Sequence, residues 1–459
     1  MKFINRRSEL YDLKREFEKR GSSLVIIYGR RRTGKTTLIH EFINDKKAIY
    51  FLADQQNNIV QLERIKDIVS DIFNDKLLNS IKFETWDSFF DYITTKIQFE
   101  EKLIVVIDEF QYLSKVNRAI PSIFQRIWDE KLKSKNIMLI LCGSIISMMY
   151  NTTLSYSSPL YGRRDLQIKL NPLTFRECKE FFNSKNVEEM INIYSVTGGV
   201  PRYIELFNQK LGLFNNISEY ILNKNSPLYS EPHFLLREEI ADSTTYFSIL
   251  RVISQGSHKL SDISSRMMNT SKNITSFLDK LRELEILERI VPVTEENPAK
   301  SKKGLYIIKD NFFRFWFRYV FPYQSYLEIG NMNYVLEKIK SDFNIFVSLT
   351  FENICIEHIQ SQRLPFEKRK IGKWWDNKNE IDIIVTGKNG VLFGECKWTG
   401  RKLDLHDLND LINKSKYANT GLIANKTYYA LYSKRGFTDR LLKESRMKNN
   451  IFLFDLNSF

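Results

Sequence analysis

Apolar and polar positions follow two regimes along this chain. In the first part, continuous apolar runs of strand length (Leu24-Val25-Ile26-Ile27-Tyr28, Leu103-Ile104-Val105-Val106-Ile107 and Ile137-Met138-Leu139-Ile140-Leu141-Cys142) are separated by stretches of helical character. Such runs predict buried parallel strands in an α/β architecture. From Tyr246 the pattern changes to short amphipathic helices, with Phe247, Ile249, Leu250 and Ile253, then Leu260, Ile263 and Met267, then Ile274, Phe277, Leu278, Leu281 and Leu284 as apolar positions. Asn269-Thr270-Ser271 supplies capping side chains before the third helix. The segments 287–293 and 304–308 predict the two strands of a wing, so the whole reads as a winged-helix module. Residues 311–322 interleave aromatics with arginines, and so many adjacent rings predict a buried segment rather than a base-stacking surface. Further on, 380–385, a turn at 387–390 and 391–398 predict a β-hairpin.

Chemistry enters where the first strand ends. Gly29, Arg30, Arg31, Arg32, Thr33, Gly34, Lys35, Thr36 and Thr37 form a Gly-x4-Gly-Lys-Thr loop between strand and helix. Backbone N–H groups of such a loop curl around the β-phosphate of ATP, and Lys35 reaches the β- and γ-phosphates. The Thr36 hydroxyl serves Mg²⁺, and the helix N-terminus adds its dipole. Asp108-Glu109 ends the next strand, where Asp108 is expected to hold Mg²⁺ and Glu109 to polarise the attacking water. Ser144, at the end of the following strand, is the candidate sensor of the γ-phosphate or its water. Arg163 and Arg164 are candidates for an arginine finger acting within the chain or in a neighbouring subunit, with a plain surface pair as the alternative.

Composition narrows the partners. The chain has 459 residues, 43% of them hydrophobic, and a formal charge of +14. This allows two to four domains and favours an anionic partner: nucleic acid, an acidic protein or a membrane surface. No N-terminal apolar stretch or membrane-length run is present, so the expectation is a cytoplasmic protein without membrane association. Cys142, Cys178, Cys355 and Cys396 are scattered, which argues against a disulfide framework or a thiolate zinc site. On the third helix of the winged-helix module, Lys272, Asn273, Ser276 and Lys280 lie largely off the apolar stripe. With Lys300, Lys302 and Lys303 on the wing, they are candidate DNA contacts. The alternative is a spacer or protein-docking module with a solvated face.

The hairpin carries the second site. Glu395 and Lys397 share a face of one strand, and the hairpin can bring Asp382 to that face. Two carboxylates can hold Mg²⁺, or Mn²⁺ in its place, and a lysine beside them can orient or deprotonate water for phosphodiester hydrolysis. The alternative is a hairpin whose charges pair with one another.

Two resemblances follow from these residues. The segments 3–10, Gly29–Thr36, 107–113 and 197–203 look like the archaeal-type AAA+/STAND P-loop ATPases. That resemblance implies an α/β nucleotide domain, a small helical lid and a Gly-Gly-x-Pro segment near the nucleotide, with Arg202 as a sensor candidate. Asp382-x12-Glu395-Cys396-Lys397 closely resembles the PD-(D/E)XK, restriction-endonuclease-like family, which implies Glu352 as a further metal-site acid and Glu380 as an auxiliary one. Where that family carries proline before the aspartate, this chain has Ile381. Residues 394–398 and 432–437 also resemble the C-terminal domain often joined to these ATPases.

The expected fold is α/β: a P-loop NTPase parallel sheet (1–170) with a helical lid (171–235), an all-α/winged-helix module (236–310), a linker or packing segment (311–345) and an α/β restriction-endonuclease-like domain (346–459). The expected function is nucleotide-regulated, metal-dependent DNA cleavage, fitting genome defence or DNA processing. A homo-oligomer and a regulatory protein partner are compatible with it. The alternative is a nucleotide-dependent switch or DNA remodeller with a catalytically silent nuclease fold.

Overall fold

In a computed structural model, which describes residues 3–98, 100–182, 185–240, 242–267, 274–418 and 426–459, chain contacts separate two units. One comprises Met1–Leu173 with Val200–Arg202, the other Thr174–Gly199 with Tyr203–Phe459. The apolar runs of the first unit form a five-stranded sheet: β1 (Ser23–Tyr28), β2 (Ala48–Leu52), β3 (Leu103–Asp108), β4 (Ile137–Gly143) and β5 (Leu166–Lys169), in the order β2-β3-β4-β1-β5. Every pairing is parallel. β1, β3 and β4 are buried along their whole length, which explains why they read as unbroken apolar runs.

Strand periodicity then sorts their side chains between two cores. Leu24, Ile26, Val105, Ile107, Leu139 and Leu141 pack with the helices Asn58–Phe73, Trp86–Lys96 and Ile120–Ile127. Val25, Ile27, Ile104, Val106, Met138 and Ile140 pack with Arg7–Glu18 and Lys35–Ile43. Because β4 inserts between β1 and β3, with Gly143 level with Tyr28, the carboxyl ends of the loop-bearing and acid-bearing strands flank the end of β4.

The second unit begins with helices that the sequence suggests as a lid. They join this unit through the aromatic segment: Asn311 Nδ2 donates to the Tyr194 carbonyl at 3.1 Å, Tyr203 and Phe312 rings lie 4.7 Å apart, and Trp316 Nε1 donates to the Tyr229 carbonyl at 2.7 Å. Phe312, Phe313, Phe315, Trp316, Phe317, Tyr319 and Val320 are all buried, so these rings form core, as their density predicts. The three expected short helices are Thr244–Ser254, Leu260–Arg266 and Ile274–Glu283. They are followed by an antiparallel pair, β6 (Leu287–Ile290) and β7 (Leu305–Ile308).

A thirty-residue helix, Met332–Ser361, crosses the expected boundary at 345 and leads to the C-terminal sheet. Its strands are β8 (Lys368–Trp375), β9 (Glu380–Gly387), β10 (Gly390–Lys397), β11 (Lys426–Ser433) and β12 (Ile451–Asp455), in the order β12-β11-β10-β9-β8. β8, β9 and β10 pair antiparallel, whereas β11 and β12 run parallel to β10. Parallel neighbours require crossovers, and the helices Leu405–Ala418 and Asp439–Met447 stand in those connections. Leu408, Leu411 and Leu441 from these helices pack with Trp374, Ile384 and Phe393 over one face of the sheet.

Candidate functional site

The phosphate loop is shaped by two glycines with positive φ, Gly29 at 156° and Gly34 at 92°. At Gly29 a Cβ would stand 2.3 Å from the Leu170 carbonyl oxygen, so only glycine fits between β1 and the chain leaving β5. Lys35 is buried and folds back, its Nζ donating to the Gly29 and Arg30 carbonyls at 2.8 and 2.9 Å. Burial lowers its pKa against the pull of the nearby acidic groups. Thr36 Oγ1 donates to Asp108 Oδ2 at 2.9 Å, and Tyr50 donates to the same oxygen at 2.7 Å. Burial, reinforced by Asp108, keeps the Tyr50 hydroxyl protonated well beyond its ordinary range. The donor set is hydroxyl and carboxylate oxygen, which suits a hard cation such as Mg²⁺.

Glu109 has φ 56° and stands immediately before the helix Phe110–Val116. Its carboxylate accepts from Ser144 Oγ at 2.9 and 2.7 Å and from Gln111 Nε2, so the base and sensor candidates form one hydrogen-bonded group. Arg31 donates to the Tyr112 hydroxyl at 2.9 Å, and Thr33 Oγ1 donates to the Arg30 carbonyl at 2.8 Å. Arg6, buried at φ 62°, donates to the Thr33 carbonyl at 3.1 Å and to the Asn171 carbonyl at 2.6 Å, bracing the loop from behind.

Arg163 makes a forked contact with Asp129 at 2.8 to 3.0 Å, and the Arg164 guanidinium lies over the Tyr161 ring at 5.3 Å. These contacts tie both arginines to their own neighbourhood. Arg202 follows Pro201 in the first turn of the helix Pro201–Leu206.

The hairpin places its acids as its register dictates. The β9–β10 register ends at the Gly394–Ile383 pair, and Glu395 and Asp382 are the next residue on each strand. Both are buried, and with Glu352, Glu380, Lys397 and Lys414 they line a cavity of about 640 Å³. Asp382 Oδ2 accepts from the Cys396 N–H at 2.8 Å. Burial, then Glu352 and Glu395, push the Asp382 carboxyl far above the usual carboxylate range. Glu395 Oε1 accepts from Lys397 Nζ at 2.6 Å and from Lys414 Nζ at 3.0 Å, while its Oε2 is buried with no hydrogen-bond partner. Burial opposes the charge on Lys397, but Glu395 and Asp382 outweigh it, so this lysine is an ammonium rather than a free base. Glu352 pairs with Lys373, whose carbonyl in turn accepts from the Val293 N–H at 2.8 Å.

Among the described residues no group of three or more His, Cys, Asp and Glu is arranged to hold a metal ion. The unpartnered Glu395 oxygen and Asp382 still fit a cation that takes two carboxylates and completes its shell from water and substrate, as Mg²⁺ commonly does. Of the winged-helix candidates, Lys272 and Asn273 lie outside the described residues. Lys280 Nζ is 3.3 Å from Glu283, and beside it Arg282 pairs with Asp279 at 2.7 Å, so that helix face is charge-balanced.

Sequence reasoning did not single out Tyr50, Gln111, Lys373 or Lys414. Gln111, two positions after Glu109, was within reach as a polar residue at a helix start. The others come from distant strands and helices, with no local pattern to mark them.

A model of an ATPase domain predominantly from Archaea matches residues 3–207, and one of archaeal and bacterial proteins of unknown function matches residues 316–408. The Methanocaldococcus jannaschii protein MJECL04 is 37% identical over the full length of both chains. The ATP-binding protein MJ0439 of the same organism is 24% identical over 61% of this chain and 89% of its own. Among solved structures, the Walker-type ATPase PABY2304 of Pyrococcus abyssi superposes with a TM-score of 0.50 at 20% identity, over 69% of this chain and 96% of that one, a likeness of fold. The chain therefore belongs to the family that includes MJECL04, and its amino-terminal part is an archaeal-type P-loop ATPase domain that binds ATP.

Proposed function

We propose that this protein hydrolyses ATP at the phosphate loop and uses that cycle to control metal-dependent cleavage of DNA in the carboxylate–lysine cleft. At the loop, main-chain N–H groups of residues 30–37 take the phosphates. Lys35 exchanges the Gly29 and Arg30 carbonyls for phosphate oxygens, which offset the cost of its burial. Thr36 and Asp108 would hold Mg²⁺. Glu109 orients the attacking water, and its bond to Ser144 ties that role to whatever Ser144 touches. Arg163, Arg164 and Arg202 remain arginine-finger or sensor candidates in this reading.

In the cleft, Asp382 and Glu395 would hold the cation, with Glu352 and Glu380 behind them. A bound divalent cation supplies charge neutralisation at the phosphate and a polarised water. Lys397, as an ammonium, orients that water or the phosphate. The observation that carries the reading is the convergence of Asp382, Glu395 and Lys397 on one cavity with a buried, unpartnered Glu395 oxygen. The basic balance of the chain, +14, and the three short helices followed by an antiparallel strand pair support DNA as the substrate.

A second reading, a nucleotide-dependent switch or remodeller whose cleft holds DNA without cutting it, draws on the pairing of Glu395 and Glu352 with lysines. One experiment separates the two. The purified protein is incubated with plasmid and with single-stranded DNA in Mg²⁺ or Mn²⁺, with and without ATP, beside Lys397→Ala and Lys35→Ala. Cleavage that disappears in Lys397→Ala and changes rate with ATP or in Lys35→Ala is the expected result. DNA binding without cleavage under every condition would put the switch first.

A further inference from the structure

One carboxylate of the cleft, Glu395, takes two lysines. Glu352 has Lys373, and Glu395 has Lys397 from its own strand, yet Lys414 also reaches Glu395 Oε1, at 3.0 Å. Lys414 comes from the helix Leu405–Ala418. On that helix Asp407, Leu408, Leu411, Ser415 and Ala418 are buried. Lys414 flanks this stripe, so its stem starts beside the sheet, and its side chain, 30% exposed, lines the cavity. A single carboxylate oxygen is neutralised by one ammonium, and a second on a partly exposed pair adds little to stability.

What the second ammonium changes is the field inside the cleft. Lys397 and Lys414 supply the ammonium groups among the residues lining the cavity, where they stand with the carboxyl groups of Glu352, Glu380, Asp382 and Glu395. An anion entering the cavity finds its attractive partners in these two ammonium groups, and a flexible lysine stem lets the Lys414 ammonium swing from Glu395 to a phosphate without moving the helix.

We propose that Lys414 binds a phosphate of a nucleic-acid strand in this cleft, taking a non-bridging oxygen beside the groups that Lys397 and Glu395 serve. This rests on the reading of the cleft as a phosphodiester site, and it assigns a substrate contact to a residue outside the Asp-Glu-Lys motif. Lys414 is here a binding residue supplied by the crossover helix.

The test measures binding apart from cleavage. A short fluorescein-labelled single-stranded DNA is titrated with the full-length protein in Ca²⁺ over a range of salt concentrations, for the native protein, Lys414→Ala, Lys414→Arg and the exposed neighbour Lys416→Ala, with the melting temperature of each variant recorded. Each lost lysine–phosphate contact lowers the slope of log affinity against log salt by about 0.7. Lys414→Ala is expected to show that loss, while Lys414→Arg and Lys416→Ala keep the native slope. An unchanged slope in a folded Lys414→Ala protein overturns the proposal; if the native protein still cleaves DNA in Mn²⁺, the nuclease reading survives alone. A reduced slope with no cleavage in any metal leaves Lys414 as a DNA contact and removes the nuclease reading. Absence of DNA binding by the native protein overturns both.

Discussion

Glu357 illustrates how a single buried carboxyl registers its surroundings. It lies on the helix Met332–Ser361, and burial, aided by Glu177, pushes its pKa up to about 7 against a hydrogen bond from the Phe175 backbone. A carboxyl whose folded pKa is raised keeps its proton in the native state while the unfolded chain has lost it. Its contribution to stability is therefore fully present below the unfolded value and is lost as pH rises towards the folded one. Glu357→Gln keeps an acceptor for the Phe175 N–H and removes the charge. Thermal denaturation across pH is expected to show the variant more stable than the native protein by on the order of 1–3 kcal/mol above neutrality and nearly equal to it in acid. A parallel pH dependence in both proteins would show that Glu357 ionises freely. Lys397 is a second residue whose state depends on its neighbours: Glu395 and Asp382 hold its proton on against the cost of burial.

At the level of elements, the junction of β1 with the phosphate loop is a packing problem as much as a chemical one. β5 pairs with β1, and the Leu170 N–H bonds the Tyr28 carbonyl at 2.7 Å, bringing the Leu170 carbonyl against the face of Gly29. In Gly29→Ala the new methyl would meet that oxygen at 2.3 Å, and relief requires moving either strand end or loop. The expected outcome is a loss of about 1–3 kcal/mol in stability with at least a tenfold weaker ATP affinity, measured by denaturation and by fluorescent-nucleotide titration. Retention of native affinity would mean that the loop tolerates displacement. The aromatic segment shows the opposite kind of element. Its rings were legible as core from their density, but its partners, the Tyr194 and Tyr229 carbonyls and the ring of Tyr203, come from over a hundred to under ninety residues away and follow from packing alone.

For the whole molecule, two units with separate cores predict two unfolding steps. Nucleotide binds the first unit, so ATP with Mg²⁺ at a hundred times its dissociation constant is expected to stabilise that transition by about 2.7 kcal/mol. Differential scanning calorimetry tests this: one transition moves with nucleotide in the native protein, and none moves in Lys35→Ala. A single transition shifted as a whole would show that the units unfold together. Among the described residues no helix is long and apolar enough to cross a membrane, which matches the absence of membrane-length apolar runs in the sequence.

The sequence by itself determined the parallel sheet, the phosphate loop, the acidic strand end and the hairpin, because each is written in local order: unbroken apolar runs for strands buried on both faces, glycines where φ is positive, and a two-residue spacing that puts Glu395 and Lys397 on one face. Only the tertiary structure decided that β4 stands between β1 and β3, that Tyr50 shares an Asp108 oxygen with Thr36, that Lys373 claims Glu352, and that Lys414 reaches Glu395 from a crossover helix. Those pairings join residues far apart in the chain. They are set by which faces bury together: helical spacing puts Lys414 beside the buried stripe of Leu405–Ala418 and Lys416 away from it, but does not say which carboxylate Lys414 meets.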